Sequence, residues 1–460
     1  MKSLIDRQGV LSRGLADIRA QFQVPPEFLP AVLTEADVAA ARPVSGHSDW
    51  TDRDFVTLDP RSSTDLDQAF AIEEAAMDLV LHYAIADVAW FVGSGDALDR
   101  EAWARGETIY MPDGKASLYP LGLSEGAASL LPNVDRPSVV FTLRIDPTGK
   151  SSLDGAVRAM VRSRAKLAYE TVTPADLPSG FADLFERIER AEDARGAARV
   201  DAPEQELVID GDGHFALDFR PQLLSERQNA ALSLAANLAI ADVMLAHRTG
   251  LFRVMAEPDE RSAWRLRHTA KALGLVWPKH ETLKDFEGSL NASDPRHAAF
   301  MTAVRRSGPG ASYAPYQEGF VPWHSAMAAT YAHATAPLRR LADRYVIETT
   351  LQIVAGQAVS GEASAFQSLP AVMAKAEGKA AQVDRAVLDL AEAVILLGRE
   401  GSRFEAVVTD VDERGTRIQV SDPAVVARVD GKGAVPGDTI EVELTSVDVL
   451  HRQVRFQRVD

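Results

Sequence analysis

Apolar residues at Leu11, Leu15, Ile18 and Phe22 recur at helical spacing, and Pro25-Pro26 then ends the pattern. A second helical stretch is predicted from Phe28 to Ala41, stopped by Pro43. From Asp54 the pattern becomes strand-like. Phe55–Leu58 and Ala69–Ile72 flank a turn-rich loop, Leu79–Phe91 reads as a longer β run, and Val139–Ile145 as another strand. An Ala/Leu-rich segment from Ser225 through Leu245 opens a mostly helical stretch, broken by loops at Gly308-Pro309-Gly310 and Val359–Ser364. Strands followed by helices within one large region predict an α+β domain.

The C-terminal residues differ again. Short β-rich runs at Phe404–Val411, Thr416–Val420, Val425–Val429, Thr439–Val449 and Val454–Val459 are separated by turn signals, among them Asp412-Glu413-Arg414-Gly415, Ser421-Asp422-Pro423 and Gly431-Lys432-Gly433. Five short strands without a core helix predict a small OB-type barrel, a fold that often binds single-stranded nucleic acid. The expected organisation is multidomain: a helical segment over residues 1–50, an α+β domain over 51–398 and an OB barrel over 399–460. The first segment is either a generic helical cap or a helix-turn-helix type module.

With 460 residues, the chain suits about three domains at roughly 150 residues each. It has no cysteine, which excludes thiolate zinc sites, iron–sulfur clusters and cysteine nucleophiles. No run of 18 apolar residues occurs, and Met1–Val10 carries Lys2, Asp6 and Arg7 in place of an apolar signal core. The expectation is a cytoplasmic protein with no membrane partner. The net charge of −17 argues mildly against nucleic acid, although a local basic groove can sit in an acidic protein.

The stretch richest in chemistry is Asp59-Pro60-Arg61-Ser62-Ser63-Thr64-Asp65-Leu66-Asp67-Gln68, on a loop between two predicted strands. In extended structure Asp65 and Asp67 would face the same side. Like charges held together repel unless a cation neutralises them, and hard oxygen ligands point to Mg²⁺ or Mn²⁺. Taken alone, the same residues also describe a solvated turn.

Asp59-Pro60 followed by Asp65-Leu66-Asp67-Gln68-Ala69 resembles the acidic block of the ribonuclease II/R (RNB) family of exoribonucleases. Tyr331-Ala332-His333-Ala334-Thr335-Ala336-Pro337-Leu338-Arg339-Arg340-Leu341 is similar to a second block of that family. Arg164-Ala165-Lys166-Leu167-Ala168-Tyr169-Glu170 is similar to a third. The three occur in the family's order, the resemblance covers residues 54–398, and the terminal barrel looks like the ribosomal-protein S-one type domain that closes these enzymes.

The resemblance implies metal-dependent hydrolysis of single-stranded RNA from its 3′ end, releasing nucleoside 5′-monophosphates, by a chain expected to act as a monomer. Asp59, Asp65 and Asp67 would hold Mg²⁺ or Mn²⁺, with Gln68 at the position of a fourth carboxylate. Arg339, expected in the first turn of a helix starting near Thr335, would contact the scissile phosphate. Arg340 and Arg344 could instead pair with acids, and His333 is expected to pack. Tyr169 would stack on the terminal nucleotide and Tyr110 at the inner end of the bound bases.

Other positions depart from the family. Its paired glutamates fall on Ala230-Ala231 and a further glutamate on Asp384, positions that help hold the terminal ribose. Residues 1–50 are too few for the two cold-shock-type barrels of typical bacterial members. These departures motivate an alternative, a catalytically weakened RNA-binding relative.

Overall fold

The computed structural model describes residues 4–6, 9–197, 204–209, 214–291, 294–308, 310–359, 362–412, 415–430 and 434–459. Helices α1 (Val10–Gln21) and α2 (Pro30–Ala40) precede strands β1 (Ser48–Asp59), β2 (Gln68–Ala75) and β3 (Asp78–Ala86). Helices α3 (Val88–Phe91) and α4 (Ala97–Arg105) and the hairpin of β4 (Ile109–Met111) and β5 (Gly114–Ala116) come next, then the long strands β6 (Asp135–Ile145) and β7 (Ser151–Ala168). Helix α5 (Phe181–Arg195) and the hairpin β8 (Glu204–Ile209)–β9 (His214–Arg220) lead into α6 (Leu224–Ala246) and β10 (Leu251–Val254). Helices α7 (Glu260–Ala272), α8 (Leu283–Gly288) and α9 (Pro295–Ser307) surround a small core of their own, centred on Leu266, Phe286 and Phe300. Strand β11 (Ser312–Pro315) and helices α10 (Leu341–Val354) and α11 (Glu362–Leu396) follow, and β12 (Arg403–Asp412), β13 (Gly415–Val420), β14 (Val425–Asp430), β15 (Thr439–Asp448) and β16 (Gln453–Arg458) close the chain.

Strands β1, β2, β3, β6 and β7 form a closed barrel in the order β1-β2-β3-β6-β7. A parallel pairing of β1 with β7 shuts it, with Asp59 opposite Ala168. Phe55, Phe70, Tyr83 and Phe141 on its strands are essentially solvent-free members of the main core. The predicted β run over Leu79–Phe91 stops at Ala86 because Asp87 caps a short helix. Its carboxylate accepts the Trp90 N–H at 3.3 Å and pairs with His47 at 2.9 Å and Arg158 at 2.8 Å. Strand β7, all 18 residues of it, has no counterpart among the predicted elements.

The C-terminal strands also close into a barrel, in the order β12-β13-β14-β16-β15, and their bounds follow the predicted runs closely. The turn predicted at Gly431-Lys432-Gly433 lies outside the described residues, as do Glu413-Arg414 of another turn, Pro309, and residues 360–361 of a predicted loop. Helix α1 buries Leu11, Leu15 and Ile18 against α11. Helix α11 also meets the terminal barrel, where buried Glu392 accepts hydrogen bonds from Val426 N–H at 2.7 Å and Gln205 Nε2 at 2.8 Å.

Helix α6 is long and apolar enough by composition to cross a membrane, with mean hydropathy 1.5 over its best window. Here it is an interior element: Leu232, Ala236, Ile240 and Met244 are solvent-free within the main core. Three polar residues along it, Asn229, Ser233 and Asn237, face the site described next.

Candidate active site

One end of the first barrel gathers the chemistry. Asp59 ends β1, Gln68 begins β2, and Tyr169 directly follows β7. The acidic loop between them is not free chain. Leu66 is fully buried and its N–H donates to Ser129 Oγ at 2.9 Å, while Ala86 N–H donates to the Asp67 carbonyl at 2.9 Å. An anchored apolar residue between Asp65 and Asp67 fixes which way each carboxylate points.

Asp67 is 5% exposed, and its Oδ1 accepts the Leu338 N–H at 2.7 Å while Oδ2 lies 3.4 Å from Arg339 Nε. Burial raises its carboxyl to about 7, against the lowering pull of Arg339 and the Leu338 N–H. Burial likewise raises Asp59 to about 7; Lys166 and Arg339 oppose the shift and the Asp65 charge adds to it. Asp59 Oδ2 is shielded from solvent and has no hydrogen-bond partner.

Asp65 is directed elsewhere. Its Oδ1 pairs with Lys115 Nζ at 2.8 Å and its Oδ2 accepts the Tyr110 hydroxyl at 3.0 Å. Gln68 turns away as well: Ser233 Oγ at 3.0 Å and the Tyr83 hydroxyl both bond its Oε1. The Tyr83 and Ser233 hydroxyls also lie 2.7 Å apart, so the amide oxygen is held in a three-way polar contact with both. Accordingly, among the described residues no three Asp, Glu or His side chains converge as a metal-ligating group. The expected set of Asp59, Asp65, Asp67 and Gln68 is thus divided, with Asp59 and Asp67 at the centre. Asp59 and Asp67 both lie in the field of Arg339, and the unpartnered Asp59 oxygen together with a second largely buried carboxylate suits a hard divalent cation.

Arg339 reaches the site from a loop, not from a helix starting near Thr335. Residues 336–340 make a single turn, with Arg340 N–H bonded to the Ala336 carbonyl at 2.9 Å, and α10 begins only at Leu341. Side chains take the neighbouring backbone donors. Ala334 N–H donates to Asn237 Oδ1 at 2.9 Å, Ala336 N–H to Asp343 Oδ2 at 2.8 Å, and Leu338 N–H to Asp67. The loop is further tied to the chain before β4: Thr108 N–H donates to the Arg339 carbonyl and Leu341 N–H to the Gly106 carbonyl, both at 3.0 Å. Gly106 adopts φ +75° with Ala376 Cβ 2.6 Å from where a side chain would begin, so no larger residue fits. Arg339 keeps 44% of its side chain exposed on this rigid support. Arg340 pairs with Asp343 and Arg344 with Asp99, so only Arg339 of the three faces outward.

Tyr110 is 47% exposed on the β4–β5 hairpin, and Tyr169 is half-buried with its hydroxyl accepting from Asn229 Nδ2 at 2.8 Å. Burial pushes both phenols up, so they stay neutral. His333 packs, as expected: it is partly buried, its Nδ1 lies 2.9 Å from the Tyr313 hydroxyl, and desolvation holds it well below its ordinary value. Asp384 lies exposed on α11, within electrostatic range of Glu107 and outside the contacts around Asp67. Ala230 is exposed and Ala231 buried on α6, beside the residues that do reach the site. Those are Asn229, Ser233 and Asn237, a four-residue spacing that sets one polar stripe along an otherwise apolar helix. That spacing was a usable signal. Lys115, a single lysine after an Asp-Gly turn, offered none.

The sequence profile of the RNB domain matches residues 47–355, and that of the RNase II-type exonuclease C-terminal S1 domain matches residues 402–459. Ribonuclease R of Aquifex aeolicus is 26% identical over 94% of this chain and 67% of its own length. Ribonuclease R of Thermotoga maritima is 26% identical over 87% of this chain, which spans 61% of that relative. The fold is similar to that of Mycoplasma genitalium RNase R solved in complex with ribose-methylated single-stranded RNA, at TM-score 0.88 and 19% identity, covering 98% of this chain and 78% of the other.

Proposed function

The chain belongs to the RNB family, and from that premise we propose that it is a metal-dependent hydrolytic 3′→5′ exoribonuclease, releasing nucleoside 5′-monophosphates from single-stranded RNA. The observation that carries this reading is the pairing of Asp67 with the Leu338–Arg339 loop. It sets a buried carboxylate beside a half-exposed guanidinium on a braced backbone.

Asp59 and Asp67 would hold Mg²⁺ or Mn²⁺. When bound, such a cation neutralises phosphate charge and lowers the pKa of water. The chain's own residues supply the rest. The exposed Arg339 guanidinium offers paired N–H donors to the non-bridging oxygens of the scissile phosphate, where charge builds as the bond breaks. Its rigid loop removes the need to reorganise at that moment. Tyr169 and Tyr110 offer ring faces on which bases stack in any sequence, worth roughly 1–3 kcal/mol per base. The terminal barrel, of a fold that commonly binds single strands, would guide the remaining RNA. The cysteine-free composition fits a reducing, cytoplasmic setting.

Product analysis tests the chemistry. Digestion of matched RNA and DNA oligonucleotides with Mg²⁺ should yield nucleoside 5′-monophosphates from RNA alone. Diphosphates formed only with added phosphate would mean phosphorolysis, and equal loss of DNA would remove sugar selectivity. The alternative is an RNA-binding relative with weakened catalysis. Capture of Gln68 by Tyr83 and Ser233 favours it, since that position adds no ligand.

A further inference from the structure

The ionic arrangement at Asp65 has a source outside the acidic loop. In the β4–β5 hairpin, Tyr110 stands directly opposite Lys115. Both side chains reach Asp65, Lys115 to one oxygen at 2.8 Å and Tyr110 to the other at 3.0 Å. Lys115 is held from its far side too, with Glu125 Oε1 at 2.9 Å. The ammonium is therefore clamped between two carboxylates, with 19% of its side chain exposed. Both Asp65 oxygens are engaged, and so is the Gln68 amide oxygen.

The three aspartates differ in how directly they are paired. Asp65 shares Lys115 with Glu125, Asp67 has the longer ion pair with Arg339, and Asp59 lies in the field of Lys166 and Arg339 without a direct partner on its Oδ2. The oxygens still open at the centre belong to those two residues: Asp59 Oδ2 has no partner, and Asp67 Oδ2 has only the long 3.4 Å contact to Arg339. Those two residues suit one divalent cation. A second one would have to expel an ammonium already bound by two carboxylates.

We propose that Lys115 serves as a fixed cation in place of a second metal ion, positioning Asp65 and limiting the acidic site to a single divalent cation at Asp59 and Asp67. This rests on the reading above that the acidic loop binds metal.

Binding of Mn²⁺ alone to the chelator-stripped full chain, followed by the electron paramagnetic resonance of free Mn²⁺ and by calorimetry, tests it without reference to activity. Wild type should bind one Mn²⁺ per chain, and Asp67→Asn should lose that site. Lys115→Met should release Asp65 and raise the count to two, whereas Lys115→Arg, which keeps the charge, should remain at one. Circular dichroism of each variant confirms that the fold is kept. Two Mn²⁺ ions on wild type, or an unchanged count in Lys115→Met, would overturn the proposal while leaving a metal-dependent enzyme intact. No binding by wild type would overturn both.

Discussion

Asp67 accepts a 2.7 Å hydrogen bond from the backbone N–H of Leu338, a residue 271 positions further along the chain. The bond joins the start of the first barrel's second strand to the loop that carries Arg339. It makes the position of the guanidinium a consequence of the acidic loop, and a buried carboxylate bonded to a backbone donor is costly to disrupt.

Arg339 should therefore act in turnover more than in affinity. Arg339→Ala should lower kcat about 100-fold with a smaller change in RNA affinity, the loss typical of removing one donor from a developing charge. Arg339→Lys should restore little, because an ammonium cannot reproduce the paired geometry. Single-turnover rates set against filter-binding constants measure the split, and an unchanged rate in Arg339→Ala would take the residue away from the phosphate.

Asn237 supports the same loop from α6 through Ala334. The residue is 2% exposed, so Asn237→Ala leaves a buried N–H without an acceptor. A loss of about 1–3 kcal/mol in unfolding free energy is expected, together with slower turnover. Chemical denaturation gives the first number. A variant as stable as wild type would show that the loop holds itself.

Glu392 supplies a pH dependence away from the active site. Burial raises its carboxyl from 4.5 to about 7, although Gln205 and the Val426 N–H pull the other way. A folded-state value above the unfolded one means that stability is fully present below about pH 4.5 and is lost as pH rises through 7. Glu392→Gln keeps the acceptor and removes the charge, so it should be more stable than wild type at pH 8, by on the order of 2 kcal/mol. The gain should vanish near pH 5. Denaturation at the two pH values checks this, and a pH-independent difference would contradict it.

Binding of single-stranded RNA should weaken steeply with salt despite the net charge of −17, because each phosphate contact releases counterions. Affinity measured between 50 and 200 mM salt, roughly the range over which such losses are usually large, would expose a flat response if no phosphate-tracking channel exists.

Much of this site was legible in the sequence because its parts are short and contiguous. Asp59, Asp65 and Asp67 fall within one loop, and Arg339 stands in a second recognisable block. The terminal barrel was legible too, since its strands alternate cleanly between turns. Strand β7 was not, because its buried inward positions include Ala159 and Ser163, which do not register as apolar alternation. The fate of Asp65 and Gln68 was hidden for another reason. Lys115, Tyr83 and Ser233 come from a hairpin, a strand and a helix that only the closed barrel and α6 bring to the loop. The helix expected near Thr335 failed because Asn237, Asp343 and Asp67 capture the alternate backbone donors of Ala334, Ala336 and Leu338 before it can start.

The most direct test is a time course on 5′-labelled single-stranded RNA with Mg²⁺, run beside EDTA and Asp67→Asn controls. The asparagine keeps an oxygen for the Leu338 N–H, so the fold should survive the change. The wild-type chain should give a ladder shortening from the 3′ end, with 5′-monophosphates released, and both controls should leave the RNA intact but still bound. RNA left whole by the wild-type chain, yet shifted on a native gel, would contradict the account.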